Sequence, residues 1–433
     1  MNPYPVSSGK DVVLSGIVDY WVDRVGADNV HYVLVRPQGE QVEAERFPVA
    51  LHRLDSASSA RRLWSVASRS LTGRSSLQES MLYSPKLGGE IARVVDHLDV
   101  DVVVFDTVRL GQYARFLPFH PGRRHVAYLD DLFSVRYAGM LSALERHRGV
   151  DVDALGQFRA FIPRRLLPLA QARLAQRALL TWERRLIDKA ERASVSDFDK
   201  VLLINGLEAE ALRTATGSDR VDTLPPLLPL TATPRPTYDG RPEFVFVGQL
   251  NIPHNDDGIN WFLEEAMAPL LRALPEARLR IIGRDPRHRL LANAARFGDH
   301  VRLEGYVDNL DDALGRAAAM ISPLRFGSGV KIKLVEALAR GLPSVTTTIG
   351  AHGVVTDALC GVLVEDDIKA YPRLLLGLTD PRFNRVVSGQ AEQHFGAHFA
   401  PGAVRAQYDA VFFGAAQPSA SASAVRDATP HVA

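Results

Sequence analysis

A buried strand, a glycine-rich loop and the start of a helix follow one another in Ile321-Ser322-Pro323-Leu324-Arg325-Phe326-Gly327-Ser328-Gly329-Val330-Lys331-Ile332-Lys333-Leu334-Val335-Glu336-Ala337. Gly327 and Gly329 allow the backbone to approach a ligand closely and to turn its N–H groups inward. A helix beginning near Val330 adds unpaired N–H donors and the positive end of its dipole. The pattern predicts an anion-binding site between a strand and a helix.

Charged side chains surround this loop. Arg325, Lys331 and Lys333 supply three cations, and Glu336 follows in the predicted helix, where a carboxylate can accept hydrogen bonds from two neighbouring sugar hydroxyls. The alternative is a solvated surface pair between Lys333 and Glu336, which are three residues apart. We favour the anion site because the cations and the strand-to-helix context occur together.

Short apolar runs alternate with amphipathic helical segments on both sides of the loop. This alternation predicts an α/β fold with parallel sheets. The strands that we expect in the second half are Glu243–Val247, Arg278–Ile282, Val301–Leu303, Ala319–Ser322, Ser344–Thr347 and Gly361–Val364, with helices at Gly258–Leu274, Asp308–Arg316 and Lys331–Arg340. Those in the first half are His31–Val35, Asp101–Phe105, His125–Leu129 and Val201–Ile204. Ligands of such sheets bind beyond the carboxyl ends of the strands, so functional residues are expected in the loops there.

Three further strand ends in the second half carry glycine beside polar, cationic or aromatic residues. They contribute the candidate ligand-binding residues Gly248, Asn251, Gly283, Arg284, Tyr306 and Val307. For the first of these loops a helix N-cap at Asn255 or Asp256 also explains the polar run, and both interpretations can hold at once.

Composition narrows the class of protein. The chain has 433 residues, 46% of them hydrophobic, with 51 Lys+Arg against 50 Asp+Glu, which argues against a dedicated nucleic-acid binder. The single cysteine, Cys360, excludes a disulfide framework and makes cysteine-based metal sites improbable. No spanning segment or signal peptide is expected, so we predict a cytoplasmic protein.

Five prolines between residues 223 and 240 predict a semi-rigid linker between two domains. We expect a first Rossmann-like domain at residues 1–222, a second at 241–395, a helix at 396–414 and a disordered Ala/Ser/Pro-rich tail at 415–433. The two domains are expected to face each other across a cleft.

A known family shares the motifs of the second half. They are Phe246-Val247-Gly248, Pro253-His254-Asn255-Asp256-Asp257-Gly258-Ile259-Asn260-Trp261-Phe262, Ile282-Gly283, Gly305-Tyr306-Val307, Pro323-Leu324-Arg325-x-Gly327-x-Gly329-x-Lys331-x-Lys333-x-x-Glu336-Ala337, Gly341-Leu342-Pro343 and Gly350-Ala351-x-Gly353. These motifs resemble the donor domain of a GT-B glycosyltransferase close to retaining family 4 (glycosyl transferases group 1), in the subgroup that makes surface polysaccharides. The resemblance implies two Rossmann-like domains and a C-terminal helix that returns to the first domain.

The resemblance also implies roles for individual residues. Glu336 would hold the nucleotide ribose, the loop at Gly305–Val307 would lie against the base, and Arg325, Gly327, Gly329 and Lys333 would contact the diphosphate. Many members carry a second Glu at the position of Ser328, near the transferred sugar, which leaves the sugar contact open in this chain.

The first half resembles the acceptor domain more faintly. In Tyr128-Leu129-Asp130-Asp131-Leu132-x-Ser134-x-x-Tyr137, Asp130 and Asp131 stand where relatives place a His or Asp near the reacting sugar. A helix N-cap at Asp131 explains the same residues equally well. The family opens with a strand and a glycine-rich loop, and residues 1–10 resemble that loop, so Ser8, Gly9 and Lys10 are candidates for the acceptor side.

We therefore predict a glycosyltransferase that moves a sugar from a nucleotide-diphosphate sugar to a glycan or lipid-linked acceptor, with Asp130, Asp131 and Lys333 as catalytic candidates. No metal and no cofactor besides that co-substrate are expected. The stretch 145–192, with eleven Lys/Arg against six Asp/Glu, is either a packed amphipathic helix or a contact with anionic lipid. The alternative functions are a non-catalytic nucleotide-sugar binder and a sugar-nucleotide epimerase or hydrolase.

Overall fold

The computed structural model describes residues 2–6, 9–37, 44–146, 172–230, 232, 235–307, 309–355 and 359–414. Its strands form three parallel sheets with the orders β1-β2, β3-β4-β5-β6 and β12-β11-β10-β7-β8-β9. Their bounds are β1 His31–Arg36, β2 Ala50–Asp55, β3 Val102–Asp106, β4 Arg124–Asp130, β5 Lys200–Leu203, β6 Val221–Thr223, β7 Glu243–Val247, β8 Arg278–Ile282, β9 Val301–Gly305, β10 Ala319–Ser322, β11 Ser344–Thr346 and β12 Val362–Val364. The α/β fold class with parallel sheets is confirmed.

Helices cover the sheets. They are α1 Gly9–Val25, α2 Ser59–Ser65, α3 Leu77–Leu82, α4 Pro85–Leu98, α5 Thr107–Gly111, α6 Phe133–Arg146, α7 Arg173–Asp197, α8 Gly206–Thr216, α9 Pro253–Glu265, α10 Met267–Ala273, α11 His288–Ala295, α12 Leu310–Gly315, α13 Ile332–Ala339, α14 Thr348–Ala351, α15 Tyr371–Gly377, α16 Pro381–His398 and α17 Pro401–Phe413. A π-helical segment occupies Val66–Ser70. No helix in the described ranges is long and apolar enough to cross a membrane.

The chain order of the six-stranded sheet reverses between two neighbouring strands. β7 and β10 pair with each other, and the sheet continues from β7 to β8 and from β10 to β11. Phe244, Phe246 and Ile321 are buried in this sheet, because both of its faces are covered by helices. The loops that follow β7 and β10 therefore flank a crevice at the carboxyl edge, which is where ligands bind in such sheets.

The first half contains the four-stranded sheet and the separate pair β1-β2. A largely apolar cavity of about 510 Å³ lies between them, lined by Val33 of β1 and Val104 of β3 and by Leu14 and Trp21 of α1. Within the described residues, β1 pairs only with β2 and β3 only with β4. One edge of each strand thus faces the cavity.

The last helix, α17, contacts elements of the first half. The Tyr408 hydroxyl donates to the Pro225 carbonyl at 2.9 Å, and the Tyr20 hydroxyl donates to the Asp409 carboxylate at 2.8 Å. Arg124 donates to the Phe412 carbonyl at 2.8 Å. These contacts bring the end of the chain against α1 and β4, while the predicted domain bounds stay a prediction.

Several local expectations need correction. Gly9 and Lys10 open α1 and do not form a loop, whereas Ser8 lies outside the described residues. The predicted helix at Gly258–Leu274 begins earlier, at Pro253, whose fixed φ suits a first helical position, and it ends at Glu265 before α10. Ile252 is its N-cap, so neither Asn255 nor Asp256 caps it.

Candidate active site

The loop between β10 and α13 (residues 323–331, the β10–α13 loop) has the backbone form that its glycines predict. Gly327 and Gly329 have φ values of 138° and 67°, in the left-handed region that side chains other than glycine rarely adopt. Helix α13 begins at Ile332, one residue after the expected start at Lys331, which is its N-cap. The loop therefore presents backbone groups and a helix start at the switch point of the sheet.

Two lysines of this region are buried. Lys331 Nζ donates to the Ser328 and Gly329 carbonyls at 2.7 and 2.9 Å, which holds the loop closed on itself. Burial lowers the pKa of Lys331 to about 8. Burial, reinforced by the charge of Lys331, lowers the pKa of Lys333 to about 7, and an anion placed beside the two ammonium groups would restore their protons.

Lys333 does not pair with Glu336. Its Nζ donates to Asn255 Oδ1 at 2.7 Å and lies 4.4 Å from the centre of the Phe246 ring, and the described residues show no Lys333–Glu336 ion pair. The Glu336 carboxyl is half-buried and burial raises its pKa. The surface-pair interpretation is therefore wrong, and the carboxyl stays available for a ligand hydroxyl.

Arg325 reaches the loop already paired. Its Nε and a terminal nitrogen donate to the two carboxylate oxygens of Asp257 at 2.8 and 2.5 Å, and its guanidinium lies 5.1 Å from the Trp261 ring centre. This bidentate pair fixes the orientation of the guanidinium and balances much of its charge. The charges of Lys331 and Lys333 are therefore less fully balanced by a paired carboxylate than the charge of Arg325.

The other strand ends meet at the same edge. A Cβ on Gly283 would lie 1.8 Å from the Gly248 carbonyl oxygen, so the ends of β7 and β8 approach as closely as two glycines allow. The Arg284 guanidinium stacks 3.9 Å from the ring centre of the exposed Tyr306, next to the half-buried Val307. Asn251 is exposed, and its carbonyl accepts from Arg287 at 2.8 Å.

Across from this loop, Asp130 ends β4 with a φ of 70°, a strained value for a residue other than glycine. Lys10 Nζ bridges the Asp130 and Asp106 carboxylates at 3.1 and 2.7 Å. Burial and the neighbouring carboxylates raise the pKa of Asp130 against the opposing effect of Lys10, whereas Lys10 holds the pKa of Asp106 low despite its burial. The predicted residue Lys10 is thus brought to the strand ends that carry Asp130.

Asp131 contacts the β10–α13 loop directly. Its carboxylate accepts from Arg136 at 2.6 Å and from the Ser328 hydroxyl. Despite the effect of burial, Arg136 and Ser328 lower the pKa of Asp131, which stays ionised. Its side chain is only 4% exposed, and its Oδ1 atom has no hydrogen-bond partner among the described residues.

The N-cap interpretation of Asp131 is wrong. Helix α6 begins at Phe133, two residues later. Its first N–H groups are taken by buried glutamates from elsewhere in the chain: Leu132 N–H donates to Glu208 at 2.6 Å and Ser134 N–H to Glu191 at 3.3 Å. Because these glutamates accept the N–H groups at the start of α6, Asp131 does not cap the helix.

Sequence reasoning missed several residues of the site. The half-buried His254 lies edge-on to Phe326, and burial together with Lys331, Lys333 and Arg136 lowers its pKa well below the ordinary value. Its place in the Pro253-His254-Asn255 motif was an available signal. Arg136 and Glu208 carry no local signal, because each acts on a residue that is distant in sequence.

Known proteins show related sequences. Residues 241–380 match the family described as Glycosyl transferases group 1. The chain is 29% identical over 196 residues to a phosphatidyl-myo-inositol mannosyltransferase of Mycobacterium leprae, which covers 44% of this chain and 48% of that protein. An uncharacterized 44.6 kDa protein in the cps region of Klebsiella pneumoniae is 24% identical over 159 residues, or 35% of this chain and 40% of that one. The chain thus spans about half the length of the curated relatives that it matches.

Solved structures show the fold. Sucrose-phosphate synthase from Thermosynechococcus elongatus matches with a TM-score of 0.60 and 14% identity, covering 94% of this chain and 93% of that one. HepE of Anabaena, solved with UDP and glucose, matches with a TM-score of 0.59 and 12% identity over 96% of this chain and 98% of that one. These likenesses confirm the expected GT-B fold, and the family match supports a glycosyl transferases group 1 domain in the second half.

Proposed function

We propose, from the premise that this chain has the GT-B fold and a glycosyl transferases group 1 domain, that it transfers a sugar from a nucleoside-diphosphate sugar to an acceptor hydroxyl. The observation that carries the proposal is the placement of the β10–α13 loop, with Lys331 and Lys333, opposite the ionised Asp131. The relatives named as mannosyltransferases and the neighbour solved with UDP support a nucleotide sugar as the donor.

The diphosphate leaving group fits the loop. During transfer the acceptor oxygen bonds to the anomeric carbon, the bond from that carbon to the diphosphate breaks, and the acceptor proton passes to the departing diphosphate. Lys331, Lys333 and the start of α13 stabilise the charge that develops on the diphosphate. These groups supply the stabilisation without a metal ion, and no cofactor besides the co-substrate is required in this proposal.

The proposed role of Asp131 is to act on the sugar. Because its pKa is lowered, the carboxylate stays negative and stabilises positive charge at the anomeric carbon. Its unpartnered Oδ1 is an acceptor for a sugar or acceptor hydroxyl. Ser328 occupies the position where many relatives have a carboxylate. Asp131, which accepts a hydrogen bond from Ser328, brings a carboxylate to this position from the other domain. We propose the retaining outcome by analogy with the family.

A lipid-linked or glycan acceptor in cell-surface glycoconjugate synthesis is the proposed acceptor class. Residues 147–171, the centre of the basic stretch, lie outside the described residues. A nearby surface supports membrane contact: residues 56–78 contain four Arg and no Asp or Glu, and Trp64 and Leu71 are 71% and 73% exposed. A cationic surface with exposed apolar side chains suits anionic lipid headgroups. We propose peripheral association with the cytoplasmic face of the membrane.

The test is to measure binding and turnover with a panel of UDP-, GDP- and ADP-sugars, with and without extracted cell lipid as the acceptor. E336A should weaken binding of the bound nucleotide sugar by about ten- to a hundredfold, because a charged hydrogen bond to the ribose is lost. The control is E276A, which removes an exposed glutamate from the turn before β8. Equal affinity in E336A and E276A would contradict the ribose assignment, and binding without any turnover would support a non-catalytic binder instead.

A further inference from the structure

One buried carboxylate joins the two domains. Glu208 lies in the first turn of α8 and is 6% exposed. Its Oε2 accepts the Leu132 N–H at 2.6 Å, and its Oε1 accepts the Gly329 N–H at 3.3 Å. Leu132 follows Asp131 in the first domain, whereas Gly329 belongs to the β10–α13 loop of the second.

Apolar packing surrounds this junction. Phe326 of the β10–α13 loop is 1% exposed and belongs to the same hydrophobic cluster as Leu132 and Phe133 of the first domain. A Cβ on Gly329 would lie 3.6 Å from Asp131 Cβ, so the loop backbone is in contact with the first domain. The hydrogen bonds of Glu208 therefore lie in a closed interface, where an unpaired acceptor or donor is costly.

We propose that Glu208 is a clasp, a positioning residue that holds the β10–α13 loop against the first domain when the cleft is closed. The relevance of the clasp to sugar transfer rests on the proposed function, because the loop that it holds is the one assigned to the diphosphate.

The clasp depends on the two accepting oxygens of the Glu208 carboxylate. An ionised carboxylate accepts both N–H groups, whereas a protonated carboxyl has one oxygen that carries a proton and accepts poorly. Asp131, which is itself paired with Arg136, acts on Glu208 from the first domain, and Lys331 acts on it from the loop. Burial and the charge of Asp131 raise the pKa of Glu208 to about 7, against the two N–H bonds and Lys331. Glu208→Gln has a single accepting oxygen, so it should lose one of the two bonds that form the clasp.

The clasp also uses a hydrogen-bond donor of the β10–α13 loop. The Gly329 N–H that a diphosphate could use is bonded to Glu208 in this closed form. When the cleft opens, the Gly329 N–H becomes free to bind an incoming nucleotide sugar. When the cleft closes, the bond to Glu208 forms again unless the nucleotide sugar has taken this N–H. Glu208 thereby couples the shape of the loop to the closure of the domains.

The experiment compares E208Q with E191Q by small-angle scattering at pH 8.5, without ligand. Glu191 is the matched control, because it caps α6 through Ser134 from within the first domain and, among the described residues, makes no hydrogen bond to the β10–α13 loop. For a compact chain of this length, with a radius of gyration of about 22 Å, we expect E208Q to be larger than wild type by about 1 Å at pH 8.5. Wild type and E191Q should have equal dimensions.

A second measurement separates the clasp from the proposed function. Wild type, E208Q and E191Q are titrated with UDP, GDP and ADP, and circular dichroism shows whether each variant is folded. If E208D, which is too short to reach both N–H groups, behaves as E208Q does, the clasp is supported. Equal dimensions of E208Q and E191Q would overturn it. Failure of every nucleotide to bind wild type would contradict the proposed function but leave the scattering result decisive for the clasp.

Discussion

The protonation states of single residues in this site depend on the residues packed around them. Lys333 was expected from the motif to meet a diphosphate, but its burial beside Phe246 and Lys331 depends on packing that sequence spacing does not reveal. The same holds for Asp131, whose ionised state depends on Arg136 and on Ser328 from the other domain. Sequence reasoning could identify these residue types and positions, while their charge states follow from contacts made across the fold.

The pKa of Lys333 leads to a prediction on donor binding. The free protein loses the Lys333 proton as the pH rises through about 7, and a bound diphosphate favours the charged ammonium. Affinity for the nucleoside diphosphate should therefore fall by up to about tenfold per pH unit above pH 7. Calorimetric titration between pH 6 and pH 9 measures this dependence.

K333M should bind more weakly and lose the dependence between pH 7 and pH 8, because its side chain carries no titratable proton and Lys331 loses its own only at about pH 8. K369M serves as the control, since Lys369 is an exposed residue of the second half and should leave the wild-type profile intact. The same pH slope in K333M as in wild type would show that another group controls the affinity.

At the scale of elements, the sequence rhythm predicted most strands within one or two residues, because buried parallel strands are continuous apolar runs. Strands β2 and β6 were missed, since β2 alternates without a clear apolar face and β6 has only three residues before the prolines. The start of α6 was also missed. Its acceptors Glu191 and Glu208 come from α7 and α8, so no local pattern marks the helix boundary.

The capping glutamate of α6 leads to a prediction on stability. Burial raises the pKa of Glu191 to about 8, against the hydrogen bonds from Ser134 and Phe133. Between the unfolded and folded pKa values the native state holds a proton that the unfolded chain has released, so this residue contributes less stability as the pH rises from 5 to 8. Relative to E191Q, wild type should lose up to about 1.4 kcal/mol of unfolding free energy per pH unit in that range.

Urea unfolding of both proteins at pH 5.5, 6.5 and 7.5 measures this difference. E276Q, which replaces an exposed glutamate, should keep the pH dependence of wild type. A difference between wild type and E191Q that stays constant with pH would mean that Glu191 is ionised in the native protein throughout.

At the scale of the whole molecule, the two halves are joined by more than the chain between them. Helix α17 packs its Tyr408 and Phe412 with Tyr20 of α1, and Phe326 of the second half enters a cluster of the first. Sequence reasoning placed the returning helix by resemblance, and its contacts with α1 could not be read from either segment alone. The closed arrangement depends on this shared packing.

The Tyr408 hydroxyl leads to a prediction on that packing. Y408F removes the donor to the buried Pro225 carbonyl and leaves the ring in place. We expect a loss of about 1–2 kcal/mol in unfolding free energy, because the carbonyl keeps its burial without a partner. Urea unfolding measures it, with Y306F as the control, since Tyr306 is exposed and its change should stay within about 0.5 kcal/mol. An equal effect of both changes would contradict the importance of this bond.

The cavity between β1 and β3 has a consequence for behaviour in concentrated solution. Each of these strands offers an edge of main-chain groups that no strand in the described ranges covers, and the side chains between them are mostly apolar. Uncovered edges of this kind are templates for pairing with an extended segment of another chain. The first domain therefore carries a built-in tendency to associate at high concentration. For the same reason, the amide protons of β1 and β3 that face the cavity should exchange with solvent deuterium earlier than those of β4 and β5, which are paired on both sides.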